Sequence, residues 1–165
     1  IYRHPHIYGE VTVKDEQEVK KNWEKLKIKE GKKSVLEGVP KSLPAIVKAF
    51  RIQEKVKGIG FDWEYKDQVW NKVLEEIDEL NFEIKKGDKA RIEEEFGDLL
   101  FALTNYARFI NVNPEDALEK TNKRFIKRFQ IMEKEIENDK KSFSDLDFTE
   151  MNKYWERAKN QFLKQ

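Results

Sequence analysis

A pattern that occurs twice in this chain constrains its fold most strongly: two carboxylates three residues apart, beside a stripe of apolar residues with helical spacing. Glu76 and Glu79 form the first pair, and Glu95 and Asp98 form the second. At about 100° per residue, the members of each pair lie about 60° apart on one flank of the stripe. Each segment is therefore predicted to be an amphipathic helix with acids at the edge of its buried face.

The two acid-bearing helices are predicted at residues 66–86 and 89–110, separated only by Gly87 and Asp88. A Gly-Asp pair between two helical segments is typical of a tight turn. Two helices with so short a connection fold back on each other as an antiparallel hairpin. Packing of the two apolar stripes would then bring all four acids to one edge of the helix pair.

Four carboxylates at one place repel each other, which raises their pKa values and opposes folding unless a cation is bound. Oxygen ligands without Cys or His nearby suit Mg²⁺, with Mn²⁺ as the alternative. Glu76, Glu79, Glu95 and Asp98 are the predicted ligands, and the neighbouring Glu75 is a candidate to orient or deprotonate a water molecule. The competing interpretation is a solvated acidic helix face, which is common in a chain that is 39% charged.

Further helices complete an all-α prediction. Pro44 begins a helix that runs to about residue 57, and Asn113 with Pro114 begins a long helix that runs to about residue 138. A last helix begins near Thr149. The predicted fold is therefore a helical bundle whose core is formed by its three longest helices.

Four basic residues lie beside the apolar stripe of the predicted helix 113–138, and Lys123 lies further round the helix; the four are Lys120, Arg124, Lys127 and Arg128. Facing an acid-and-metal site, such residues would bind phosphate, because Lys and Arg donate to phosphate oxygens. Otherwise they form a solvated face. Asn122 lies within the stripe and is either a satisfied structural amide or a ligand contact. Trp155, in the last helix, is most simply a core anchor.

Composition excludes several classes of protein. The 33 basic and 32 acidic residues give a net charge of +1, which is not the footprint of a protein that binds a nucleic-acid polymer. No apolar run is long enough to span a membrane. The absence of Cys excludes a thiol nucleophile and fits a cytoplasmic location. No His follows His6, which disfavours a di-iron or di-manganese oxidase.

Several motifs together resemble the MazG nucleoside triphosphate pyrophosphohydrolases. The acidic motif runs from Glu75 to Asp98 and is followed by Leu-Leu-Phe-Ala. The lead-in contains Val-Pro-Lys-Ser-Leu-Pro-Ala from Val39, Ile52-Gln53, and Gly-Phe-Asp-Trp from Gly60. The basic segment 120–129 is similar as well, with Arg124 and Lys127 where the family pattern has Lys and Arg, which keeps the charge but alters bidentate contacts.

The resemblance implies a function. It implies Mg²⁺-dependent hydrolysis of nucleoside triphosphates to the monophosphate and pyrophosphate, with broad base specificity, by a homodimer with its active site near the subunit interface. It also implies nucleotide contacts for these residues: Lys72, Arg91, Asn122, Arg124, Lys127, Arg128 and Trp155. In this interpretation the basic side chains neutralise the departing pyrophosphate.

The resemblance also divides the chain. It covers residues 38–159, and the Arg-His-Pro-His sequence from Arg3 resembles the stretch that joins the halves of two-domain MazG proteins. Residues 1–37 are therefore predicted to be an arm with a short helix at 15–30, and residues 38–165 a catalytic helical domain. An upstream half is expected to be missing.

Two other functions stay open at this point. One is a regulatory or interaction domain that binds nucleotides without turnover, although the acid set is complete. The other is a pyrophosphohydrolase restricted to dUTP, dCTP or a damaged nucleotide, since no residue stands out as a reader of base edges.

Overall fold

A computed structural model describes residues 34–163 of the chain. Within this range the chain forms five α-helices and one short 3-10 helix, and no β-strand. They are α1 Ala45–Gly58, α2 Lys66–Lys86, α3 Lys89–Phe109, α4 Pro114–Asn138, the 3-10 helix Phe143–Asp145 and α5 Phe148–Phe162. The all-α prediction is confirmed, whereas the predicted helix at 15–30 lies outside the described residues. None of these helices is both long and apolar enough to cross a bilayer.

The helices belong to two compact units. The first ends at Pro114 and contains α1 to α3, and the second begins at Glu115 and contains nearly all of α4, the 3-10 helix and α5. The sequence predicts one helical domain over this range. The predicted boundary at residue 37 stays a prediction.

The turn between α2 and α3 forms where the sequence predicts it. Gly87 ends α2 with a φ of 77°, a left-handed conformation that a side chain would strain. Asp88 caps α3, and its carboxylate accepts hydrogen bonds from the backbone N–H groups of Ala90 at 3.1 Å and Arg91 at 3.3 Å. These two residues fix the antiparallel hairpin on which the acids are carried.

Helix α1 packs against α3 through a buried amide. Gln53 is only 4% exposed, and its Nε2 donates a hydrogen bond of 2.8 Å to the carbonyl oxygen of Phe101. Lys55, half a turn further along α1, donates to the carbonyl oxygen of Val35 at 3.3 Å and holds the preceding turn against the helix. The α2–α3 hairpin is therefore supported from the side of α3.

The apolar stripes predicted for α2 and α3 are only partly buried within the first unit. Val69 and Val73 are 1% exposed. Other members of the stripes are at least 40% exposed: Trp70, Leu74, Ile84, Phe96, Leu100, Leu103 and Ile110. The prediction that the stripes bury each other is therefore wrong for these residues, because two helices share a single line of contact and leave a wide flank uncovered.

The second unit has its own core. Met132 and Ile136 of α4 pack with Tyr154 and Ala158 of α5, and Leu146 closes the core between the two helices. Asp147 caps α5 by accepting a hydrogen bond of 2.8 Å from the backbone N–H of Glu150. The cap thus fixes where α5 begins, and the shared core packs α5 against the C-terminal half of α4.

The N-terminal half of α4 has no such cover within this unit. Leu118, Phe125 and Ile126 are 47%, 55% and 54% exposed, and Asn122 is exposed as well. The predicted place of Asn122 in a buried stripe is therefore wrong within this unit, because α5 is long enough to cover only the C-terminal half of α4.

Candidate metal and phosphate site

The structure brings three of the four predicted acids together. One carboxylate oxygen from each of Glu76, Glu79 and Glu95 lies within 4.8 Å of the other two. Glu76 and Glu79 project from successive turns of α2, and the antiparallel α3 supplies Glu95. We call these three residues the acid cluster. Its geometry follows from the three-residue spacing on α2 and from the tight turn at Gly87.

Asp98 and Glu75 lie outside the acid cluster. Asp98 is exposed on α3, one turn after Glu95, and a step of three residues moves a side chain about 4.5 Å along the helix axis. That distance is comparable to the spacing between oxygens within the cluster. Glu75, whose side chain is 57% exposed, contacts Lys72 instead. The metal and catalytic roles predicted for these two residues stay predictions.

The acid cluster is poor in positive charge, and one of its three carboxylates is shielded from solvent. Glu76 is 5% exposed, so its carboxylate depends on contacts inside the protein. The pKa of Glu79 is raised above its ordinary value, first by partial desolvation and then by the negative charges of Glu76 and Glu95. The positive charge of Lys72 acts in the opposite direction but does not cancel these effects. Binding of a further cation would therefore stabilise the three carboxylates.

Among the residues that the structure describes, Lys72 is the basic residue that contacts the acid cluster. Its ammonium nitrogen lies 2.6 Å from Glu75 Oε1 and 2.8 Å from Glu76 Oε1, across one turn of α2. The hydrogen bonds to Glu75 and Glu76 hold the pKa of Lys72 well above its ordinary value. The lysine is therefore charged and is the counter-ion of a buried carboxylate.

The donor set of the acid cluster fits a hard divalent cation. All three groups are carboxylates, one buried, one intermediate and one exposed, so oxygen ligands meet at a place that is open on one side. Mg²⁺ and Mn²⁺ accept such ligands and keep positions for water or phosphate oxygens. The cluster can therefore hold a metal and leave part of its coordination to a substrate.

Arg91 lies on the first turn of α3 and faces solvent. Its Nη1 donates to Glu94 Oε2 at 2.7 Å, and both side chains are more than half exposed. The pKa of Arg91 is raised by this hydrogen bond and by the charge of Glu94. An exposed pair of this kind is weak, so Arg91 is free to exchange Glu94 for another anion.

The basic residues of α4 are exposed and lightly paired. Lys123 lies 3.1 Å from Glu119, and Arg124 Nη2 donates to Thr121 Oγ1 at 3.2 Å. Lys127 lines a cavity of about 610 Å³, together with Gln130, Ile131, Lys134 and Phe162. These cations project from an exposed helix face, where a phosphate could reach them.

Arg128 differs from the other α4 cations. Its guanidinium carbon lies 5.1 Å from the ring centre of Phe162, in a cation–π contact, and its Nε is buried without a hydrogen-bond partner. The remaining guanidinium nitrogens are therefore the ones available to an anion.

Trp155 is partly buried and lies in a row of aromatic rings. Its ring centre is 5.0 Å from that of Phe125, which stacks at 6.0 Å on Phe129. The row continues to Phe143 at 5.7 Å. Trp155 therefore packs on the core at one side, as the simpler interpretation of the sequence predicts, while Phe125 keeps an exposed face.

The motifs have counterparts in known proteins. Residues 66–143 match the model of the MazG nucleotide pyrophosphohydrolase domain. A nucleoside triphosphate pyrophosphohydrolase of Escherichia coli (strain K12) is 37% identical over an alignment of 165 residues that covers 96% of this chain and 63% of that protein. This chain belongs to the MazG family. All the predicted site residues except Trp155 lie within the matched MazG domain.

Two further relatives extend the comparison. A nucleoside triphosphate pyrophosphohydrolase/pyrophosphatase MazG of Thermotoga maritima is 42% identical over 162 residues, covering 96% of this chain and 61% of that protein. An uncharacterized protein YabN of Bacillus subtilis (strain 168) is 40% identical over 163 residues, covering 96% of this chain and 33% of that protein. This MazG-family chain thus spans less than two thirds of the length of these relatives.

One contact near the MazG domain was missed by sequence reasoning. Arg108, on the last turn of α3, donates through Nη1 to Asp62 Oδ2 at 2.8 Å and through Nη2 to Asp62 Oδ1. Arg108 also donates to Asn105 Oδ1, from Nε at 3.2 Å and from Nη2 at 2.7 Å. In the sequence, Asp62 belongs to the Gly-Phe-Asp-Trp motif, and neither helical nor strand periodicity relates it to Arg108. Opposite charge is the only signal in the sequence, and it does not single out this pair among 33 basic and 32 acidic residues.

Proposed function

We propose that this chain hydrolyses nucleoside triphosphates to the nucleoside monophosphate and pyrophosphate, using Mg²⁺. One observation carries the proposal: three carboxylates from the two helices of a MazG domain converge within 4.8 Å. The names of the Escherichia coli and Thermotoga maritima relatives support the reaction class. In the balanced reaction one water is consumed and one phosphoanhydride bond is broken.

The acid cluster is the proposed metal site. Glu76, Glu79 and Glu95 would hold Mg²⁺, or Mn²⁺ in its place, and Asp98 is retained as a fourth ligand. When bound, the metal polarises the phosphoryl group and lowers the pKa of a bound water. Glu75 lies next to a ligand, on an exposed turn, and is proposed to orient that water or accept its proton.

The proposed phosphate contacts come from basic side chains of both helix groups. Lys72 and Arg91 are assigned to the α2–α3 hairpin, and Arg124, Lys127 and Arg128 to α4. Their positive charge offsets the charge that develops on the departing pyrophosphate. Asn122 and Trp155 are assigned to the nucleoside, through amide hydrogen bonding and ring stacking.

A homodimer is part of this proposal. Apolar residues of α2 and α3 that belong to the predicted stripes are exposed in the isolated chain, among them Leu100 and Leu103 at 43% and 40%. Large contiguous apolar surfaces of this kind are characteristic of protein interfaces. A second copy packed on this flank would complete a four-helix core with the same residues. We place the protein in the cytoplasm and propose no interaction with membranes or nucleic-acid polymers.

The test is product analysis by anion-exchange chromatography after incubation with ATP, GTP, CTP, UTP or dUTP and Mg²⁺. Monophosphate and pyrophosphate are expected from each substrate, and their formation should be lost in Glu79→Gln. Asp78→Asn is the matched control, because Asp78 is an exposed acid on the same helix outside the acid cluster.

Other outcomes distinguish the alternatives. Formation of diphosphate and orthophosphate would exclude a pyrophosphohydrolase, and turnover of a single substrate would exclude broad base specificity. Nucleotide binding without turnover would indicate a regulatory domain in place of an enzyme.

A further inference from the structure

Lys72 lies at one side of the acid cluster and contacts its buried member, Glu76. Its ammonium lies 2.8 Å from Glu76 Oε1. Glu76 is the most deeply buried of the three proposed ligands. The same nitrogen lies 2.6 Å from Glu75, the acid proposed to handle the water. One lysine therefore engages both a proposed ligand and the proposed base.

A cation is required at this position when no metal is bound. Glu76 has a side chain that is 7% exposed, and a buried carboxylate without a partner is strongly unfavourable. Glu79 and Glu95 add negative charge within 4.8 Å. Lys72 thus supplies the positive charge that the fold needs here.

Lys72 is also able to leave. Its side chain is 36% exposed, and an ammonium on a flexible four-carbon stem is readily solvated. Arg108 provides a contrast on the neighbouring helix, since its side chain is 6% exposed and its guanidinium is held by two partners. The contact of Lys72 is therefore a replaceable one, whereas that of Arg108 is structural.

We propose that Lys72 is the resident cation of the acid cluster, that it yields Glu76 when a divalent metal binds, and that it then binds a phosphate of the nucleotide. This inference rests on the proposed function, because it assumes that the acid cluster is the metal site. The same movement releases Glu75, so the proposed base becomes available only after Lys72 has left. Lys72 would thus couple the metal, the nucleotide and the base.

The coupling has a thermodynamic consequence. In the free protein, Lys72 competes with the metal for Glu76 and weakens metal binding. A phosphate anion that attracts Lys72 relieves this competition, so the anion and the metal strengthen each other's binding. Without Lys72, the metal should bind the free protein more tightly, and this part of the cooperation should disappear.

The experiment is a titration of the whole chain with Mn²⁺, followed by the electron paramagnetic resonance signal of free Mn²⁺, without nucleotide. We expect Lys72→Gln to bind Mn²⁺ about tenfold more tightly than the unmodified chain. Lys86→Gln is the matched control, because Lys86 forms a similar pair with Glu83 at 2.9 Å, fourteen residues later on α2. Its Mn²⁺ affinity should equal that of the unmodified chain.

Two further arms make the result decisive. In 0.5 M KCl (about a 4 Å Debye length), a contact competition should persist while long-range repulsion is screened. Addition of pyrophosphate should strengthen Mn²⁺ binding more in the unmodified chain than in Lys72→Gln. The midpoint of thermal unfolding should also rise more with Mn²⁺ in Lys72→Gln, because the metal then supplies the only counter-ion of Glu76.

The outcomes separate the inference from the proposed function. Equal or weaker Mn²⁺ affinity in folded Lys72→Gln would overturn the inference and leave the metal site intact. Mn²⁺ affinity that is the same in Glu79→Gln as in the unmodified chain would instead overturn the metal site. A gain in affinity that vanishes in 0.5 M KCl would also overturn the inference, since it would reflect charge at a distance rather than contact.

Discussion

The guanidinium of Arg108 and the carboxylate of Asp62 form a two-pronged ion pair that joins residues 46 positions apart. The pair ties the loop after α1 to the last turn of α3. Arg108 is the more buried partner, with a side chain that is 6% exposed, and Asn105 accepts two further hydrogen bonds from it. The loop that carries Phe61 and Trp63, both exposed, is thus held at one point by a partly buried charge pair.

Replacement of Arg108 should therefore destabilise the fold. We expect Arg108→Ala to lower the free energy of unfolding by about 2–3 kcal/mol, because it leaves a partly buried carboxylate without its partner. Urea denaturation measures this change. Arg91→Ala is the control, since its exposed pair with Glu94 should change the stability by less than about 0.5 kcal/mol. Equal changes in the free energy of unfolding for the two substitutions would show that the contact with Asp62 stabilises the fold no more than an exposed ion pair does.

Neutralisation of Glu79 should have opposite effects in the absence and presence of metal. The raised pKa of Glu79 means that its negative charge is less favourable in the folded chain than in the unfolded chain, so Glu79→Gln should raise the melting temperature in EDTA. Added Mg²⁺ should stabilise the unmodified chain and leave Glu79→Gln nearly unchanged, because a ligand is lost. Differential scanning fluorimetry measures both effects. A lower melting temperature of the variant in EDTA would contradict the repulsion within the acid cluster.

Tyr154 should make stability depend on alkaline pH. Its hydroxyl donates a hydrogen bond of 2.7 Å to Asp139, and this bond, with partial desolvation, raises the pKa of Tyr154 above its ordinary value of 10.0. Because the folded pKa is the higher one, the contribution is present below pH 10 and is lost as the pH rises through the folded pKa. Denaturation curves measured from about pH 8 to about pH 12, a range that brackets the ordinary pKa of Tyr, should show this loss.

Two variants test this interpretation. Tyr154→Phe should remove the alkaline dependence that arises from this site. Asp139→Asn should bring the pKa of Tyr154 down towards its ordinary value, which the phenolate absorbance reports. Retention of the raised pKa in Asp139→Asn would assign the shift to burial alone.

The proposed homodimer can be separated from the fold of the monomer. Leu103→Glu places a charge on the exposed flank of α3, where a second copy would bury it, and should convert dimer to monomer in size-exclusion chromatography with light scattering. Leu36→Glu is the control, because Leu36 is equally exposed at 40% but lies in the turn before α1. A monomeric unmodified chain, or a dimer that withstands Leu103→Glu, would contradict the proposed interface.

The sequence predicts the local features of this protein well. The two acid-bearing helices begin and end within a residue of their predicted limits, because the caps at Gly87 and Asp88 are local signals. The approach of Glu95 to Glu76 and Glu79 follows from helical spacing and one tight turn. Such features depend on residues that are close in the chain, so periodicity and capping are sufficient to predict them.

Features that depend on distant residues were not predicted. The contact between Asp62 and Arg108 and the hydrogen bond from Gln53 to Phe101 join separate segments with no shared period. The exposure of Asn122 was also not predicted, because an apolar stripe indicates which face prefers burial and not which part of it finds a partner. The place of Asp98 beside the acid cluster, rather than within it, depends on a few ångströms that a helical wheel does not resolve.

The short turn at Gly87 has a consequence for the order in which the protein is assembled. Only fifteen residues separate Glu79 from Glu95, so closing the acid cluster requires the chain to order a single hairpin. Contacts that are local in sequence form early, since little chain entropy is lost before they are made. We therefore expect the cluster to exist as soon as α2 and α3 have paired, before α1 has docked. A divalent ion that bound the proposed metal site at this stage would then stabilise the hairpin early in folding.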